Sequence, residues 1–116
     1  MQQKEICNAI ARLHENVLAV FLVQDGSIVE WKARPSARLP GPHEMEGVIT
    51  QRLVMMSLAK NHETFLGRLH YIMGRYDDSD ILLFDRGLDE KSMLVVRMKR
   101  PYRMDALAKK VAGILA

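Results

Sequence analysis

One cysteine in 116 residues excludes an intramolecular disulfide framework and leaves no set of thiolates for a structural zinc site. Aromatic residues are scarce, at 6%, and they do not interleave with the basic ones, which argues against a nucleic-acid surface built on base stacking. Long hydrophobic runs are missing as well. The longest, Val17 to Val23, is seven residues, against the roughly 20 that a membrane-spanning helix needs, so no membrane partner is expected. The opening Met-Gln-Gln-Lys-Glu-Ile has no basic-then-apolar layout of a secretory signal, and with a single free thiol the expected location is cytoplasmic.

Catalytic signatures are absent too. There is no glycine-rich phosphate loop, no G-x-S-x-G and no H-E-x-x-H. His14, His43 and His62 each precede a glutamate, but none is followed by a second histidine at metal-binding spacing. Cys7 and His14 are seven residues apart, about 10 Å along a helix, too far for a thiol–imidazole dyad. Cys7 is therefore expected as a buried structural residue. Asp78-x-Asp80 lacks the glycine and glutamate of a calcium loop and reads as turn chemistry. No enzyme activity, cofactor or metal is expected.

What is present is a pattern of elements. Residues 2–14 read as a short helix with Ile6, Ile10 and Leu13 on one face, stopped at Asn16, which tolerates a left-handed conformation. Val17 to Val23 reads as a strand covered on both faces. Asp25-Gly26 is a hairpin turn, and Ser27 to Ala33 alternates, Ile28, Glu30 and Lys32 against Val29, Trp31 and Ala33. Three of the four prolines fall in the loop 34–43. A long helix follows over 44–61, with Met45, Ile49, Leu53 and Met56 at helical spacing. Three strands are expected next: Leu66 to Tyr76, with Leu69, Tyr71 and Met73 on one side; Asp80 to Arg86; and Ser92 to Lys99. Pro101 opens the last helix, a favoured place for proline. The fold class is α+β, a single five-stranded, mostly antiparallel sheet flanked by helices in the order α-β-β-α-β-β-β-α, and one domain spans 1–116.

That order, with the buried strand running into an Asp-Gly turn, the central helix, the meander ending in Met93-Leu94-Val95-Val96 and the C-terminal helix, resembles the Roadblock family of the profilin-like and longin-like fold group. The resemblance covers essentially the whole chain. It implies a central helix on one sheet face and terminal helices on the other. It also implies a homodimer, in which the central helix and the third strand meet their counterparts, and a scaffold or regulatory role toward small Ras-like GTPases without a cofactor. On that reading the seam would hold Met45, Ile49, Arg52, Met55, Met56, Leu69, Tyr71 and Met73.

Two further features invite a surface reading. Eight methionines against three phenylalanines are unusual, and adjacent Met55 and Met56 lie about 100° apart on a helix, so one can pack inward while the other faces a partner. Charge is also segregated. The net charge is +3, but residues 77–90 carry six acids and 97–116 six bases. Lys99, Arg100 and Arg103 surround the expected start of the last helix, where exposed N–H groups favour anions, and Arg34 and Arg38 of the proline loop are candidates to join them. The alternative function is therefore a small ligand-sensing domain of PAS or profilin type that binds an anionic metabolite or acidic peptide there.

Overall fold

The structure, a computed structural model, describes residues 1–116. The elements are α1 (Gln3–Ala11), β1 (Val17–Gln24), β2 (Ser27–Ala33), α2 (Pro42–Lys60), α3 (Glu63–Leu66), β3 (Tyr71–Arg75), β4 (Asp80–Asp85), β5 (Met93–Met98) and α4 (Met104–Leu115). The five strands form one antiparallel sheet in the order β2-β1-β5-β4-β3. Pairing of β1 with β5 joins the hairpin to the meander, so the valine-rich β1 is an interior strand covered on both faces, as its unbroken apolar run requires. At the β1–β2 turn Asp25 and Gly26 both take positive φ, 51° and 79°, the geometry of the turn that suits a right-handed twist.

Each sheet face has its own core. Ile6, Cys7 and Ile10 of α1 and Leu107 and Val111 of α4 pack over Val20, Leu22, Leu82, Phe84, Leu94 and Val96. On the other face α2 alone supplies Ile49 and Met56, against Ala19, Phe21, Val23, Leu83, Met93 and Val95. Five strands about 4.8 Å apart span roughly 20 Å, which two helices cover and one helix of about 10 Å diameter does not. The α2 face is therefore only partly roofed. Beside α2 lies a groove of about 730 Å³ lined by Phe21, Ile28, Trp31, Leu39, Met45 and Ile49. Trp31, half exposed on edge strand β2, stacks on Phe21 at its wall, ring centroids 6.2 Å apart.

Several local expectations are corrected. The first helix ends at Ala11 rather than residue 14, because Arg12 N–H is shared between the Asn8 and Ala9 carbonyls and the chain tightens into a turn. Asn16 does not adopt a left-handed conformation; its side-chain amide donates to the Pro101 carbonyl at 2.7 Å. A register shift at Leu22/Val23 breaks the simple alternation of β2, so Ile28 shares the α2-side core with Ala33 instead of pairing with Glu30 and Lys32. The third strand starts at Tyr71, not Leu66. Residues 63–66 form an extra helical turn, ended by Gly67 at φ 87°, a conformation that favours glycine. The last helix starts at Met104 after Arg103 as N-cap, so Pro101 precedes the helix rather than opening it.

Candidate functional site

Along α2, Met45, Ile49, Leu53 and Met56 recur at i, i+4, i+8 and i+11 and turn into the core. Val54, Met55 and Leu58 lie elsewhere on the cylinder and are 52%, 47% and 60% exposed. Phe65 and Leu66 of α3, in the turn that follows α2, are exposed as well. Solvated helix faces ordinarily carry polar residues, so a helix apolar on two faces implies a second contact. Gly47 lies on the same outward side, about two to three turns before that strip. A Cβ there would meet nothing within 4 Å, yet glycine inside a helix costs about 1 kcal/mol relative to alanine. Nothing within the chain explains that cost.

Strand β3 is an edge of the sheet. It pairs with β4 on one side only, and its one charged residue, Arg75 at its end, is engaged by Asp80, which leaves the rest of the edge without a proline or a charge to guard it. Met73 is 42% exposed on it.

The expected seam residues separate into three groups. Met55 and Met73 are exposed, and Arg52 is half-buried. Ile49 and Met56 are each 3% exposed and taken up by the α2-side core, with Met45 and Leu69 packed against it. Tyr71 belongs to the opposite core, 5.8 Å from the Phe84 ring. Leu69 and Tyr71 thus face opposite sides of the sheet, because the strand begins only at Tyr71. Charge introduced at Met56 would break the core rather than test an interface. Val54, Phe65 and Leu66 were not among the expected residues. Leu58 lies off the spacing of Met45, Ile49, Leu53 and Met56, and the helical turn 63–66, too short to show a period, overlaps the expected strand only at Leu66.

The basic cluster is also rearranged. Arg100 does not project toward an anion at the helix start: its Nη1 donates to Asp80 Oδ1 and its Nη2 to the Asp77 carbonyl. Arg34 Nε donates to the Val17 carbonyl at 2.7 Å, and the Arg38 carbonyl accepts from Arg97 Nη1. Lys99 and Arg103 are exposed. The acidic and basic stretches meet inside the molecule at Asp80, which is wholly buried, rather than forming two separate surfaces. Asp80 accepts from Arg75 Nε and Nη2 at 3.2 and 3.0 Å, from Arg100, and from Tyr102 Oη at 2.6 Å. The Arg75 hydrogen bonds above all hold its carboxyl down at about 2. Burial, followed by the Asp80 contact, pushes Tyr102 up to about 12. Asp80 is thus the hub that fastens the segment before α4 to the β3–β4 turn, not turn chemistry.

Cys7 is 1% exposed and burial pushes its thiol up to about 11, the opposite of what a nucleophile needs. Ellman's reagent is expected to leave the native protein unmodified at neutral pH and to titrate one thiol once denaturant is added. Rapid reaction of the native protein would contradict this placement. No three histidine, cysteine, aspartate or glutamate side chains come together to hold a metal ion, and no helix is long and apolar enough to cross a membrane.

No sequence-family model matches the chain, and no curated protein matches it by sequence. Solved structures do match. A Roadblock/LC7 domain from Streptomyces avermitilis superposes with a TM-score of 0.75 at 12% identity, over 99% of this chain and 92% of that one. An MglB solved in a tetrameric arrangement gives 0.72 at 14% identity, over 96% and 80%. MglB of Myxococcus xanthus gives 0.69 at 10% identity, over 99% and 92%. At such identities the likeness is one of fold: this chain has the Roadblock/LC7 architecture, element for element.

Proposed function

We propose that this chain is a non-enzymatic interaction module that works as a cytoplasmic homodimer, joined along the outward side of α2 and the β3 edge, and that as a dimer it docks a small Ras-like GTPase. The observation that carries the dimer is the exposed apolar strip of Val54, Met55 and Leu58, with Phe65 and Leu66 exposed in the turn after α2, together with an unguarded sheet edge. A second copy related by a two-fold axis satisfies both at once. The two edges continue one sheet, and the two helices cover each other's strips, with Gly47 free of any neighbour that would keep another helix away. The GTPase arm is supported by the family resemblance and by the shared fold.

The edge arm has a direct test. Met73 is the middle residue of β3, so in an antiparallel two-fold pair it faces its own copy. Because Cys7 is buried, Met73→Cys presents a single reactive thiol. Mild oxidation is expected to give a disulfide-linked dimer that keeps the native circular dichroism spectrum. A variant that stays monomeric under oxidation contradicts pairing at this edge. For the GTPase arm, a Ras-like GTPase encoded beside this gene is expected to co-elute with the dimer in gel filtration when loaded with GTP. Separate elution in both nucleotide states contradicts it.

A further inference from the structure

On the α1/α4 side of the sheet, away from α2, a cup of about 510 Å³ opens between α4 and the ends of β3 and β4. That volume is in the range of small-molecule sites. Its floor is the tilted aromatic pair Tyr71 and Phe84, and Ala108 and Ala112, one turn apart on α4, leave the space above it unfilled. Its rim is basic: Arg68, Arg86 and Lys109 line it, with His70. The Arg68 guanidinium reaches toward the backbone after β4, with Nη2 3.5 Å from where a Cβ on Gly87 would stand. The one acidic side chain in the lining, Asp85, is already engaged, by Lys60 Nζ at 3.2 Å and by the Gly87 N–H at 3.1 Å. Three formal positive charges thus stand against the Ala116 carboxylate, which also lines the cup, and the C-terminal pole of α4, worth roughly half a negative charge, so the balance stays positive and the cup attracts anions.

A second observation falls on the same residue. Arg86 Nη1 is the single buried side-chain nitrogen or oxygen of the chain with no hydrogen-bond partner. Buried polar groups are ordinarily paired, and leaving one unpaired is costly. Arg86 thus lines the cup while one of its guanidinium nitrogens, inside the fold, has no partner, and with the aromatic floor this suits a particular kind of ligand. We propose that this cup binds a small oxyanion with an apolar body, a phosphate or carboxylate held by Arg86, Arg68 and Lys109 while its planar or aliphatic part rests on Tyr71 and Phe84. The anion reading of the basic residues thereby moves from the segment before α4 to the far end of that helix. It is independent of the dimer, which uses the other sheet face and the β3 edge.

The test is a titration of the isotope-labelled full chain followed by NMR, with phenyl phosphate, benzoate, inorganic phosphate and phenol as separate probes. Phenyl phosphate or benzoate is expected to bind saturably, with shifts confined to residues 68–71, 84–87 and 108–116, and the tighter of the two identifies the head group. Inorganic phosphate is expected to shift the same residues more weakly. Arg86→Gln and Lys109→Gln should each weaken binding about tenfold, whereas Arg103→Gln should leave it unchanged. Lys109 is exposed, so its variant decides the question even if Arg86→Gln does not fold. The proposal is overturned if neither aromatic anion gives saturable shifts, if phenol binds equally well, if the shifts centre on Lys99 and Arg103, or if Lys109→Gln binds like the parent chain.

Discussion

Replacing Asp80 by alanine is expected to destabilise the fold by about 3–5 kcal/mol, the usual cost of removing one partner from a buried ion pair. The carboxylate is fully buried and receives four hydrogen bonds from three side chains. Its loss leaves Arg100 Nη1 and the Tyr102 hydroxyl without their acceptor and reduces the fastening of the segment before α4 on the β3–β4 turn to the Arg100 Nη2 bond to the Asp77 carbonyl. Against a total of about 5–15 kcal/mol for a domain of this size, that is a large fraction. Thermal unfolding is expected roughly 15 °C lower. Asp80→Asn keeps the shape but not the charge and should fall between the two. The same group sets an acid limit. Its folded pKa is about 2, below the ordinary carboxylate value of 3.8, so the folded state binds this proton less readily than the unfolded chain. The stabilisation is complete above about pH 4 and drains away as pH falls toward 2; Asp80→Ala should lack that component of the acid transition. A melting temperature within a few degrees of the parent would refute the hub.

The largest expected effect on association comes from Leu58→Glu. Leu58 is 60% exposed and lies outside both cores, so the folded monomer loses nothing when it changes. In the dimer the glutamate would be buried without a partner, and because the interface is isologous the change enters twice. Truncation or charging of a central interface residue costs about 2–4 kcal/mol, which weakens dimerisation roughly 30-fold to 1,000-fold. The expected result is a monomer at concentrations where the parent chain is dimeric, with the melting curve of the monomer intact. Met55→Glu should act alike. An unchanged mass for both variants would place the interface elsewhere.

The fold was largely legible in the sequence, for reasons visible in single elements. Val17 to Val23 is an unbroken apolar run because β1 is an interior strand, between β2 and β5, with helices over both faces. Asp25-Gly26 marks its own turn by conformational preference. Ile6, Ile10, Leu107 and Val111 follow helical spacing because each terminal helix has one buried stripe. What was not legible depends on contacts distant in sequence. Asp80 looks like any acid in an acidic turn until Arg75 of β3 and Arg100 and Tyr102 of the segment before α4 converge on it. The one-residue shift in β2 reverses Ile28 without leaving a mark in composition. For the surface, the expected seam mixes exposed residues with core ones. Ile49 and Met56 are apolar and periodic, and that same periodicity is what carries them into the core. Val54 and Leu58, off the stripe, are the apolar residues left outside it.

Sedimentation equilibrium of the unmodified full chain at tens of micromolar is the most direct test of the central claim. A two-fold pair along α2 and β3 predicts a mass twice 13.3 kDa, falling to the monomer value for Leu58→Glu under the same conditions. A parent chain that sediments at 13.3 kDa throughout that range would contradict it.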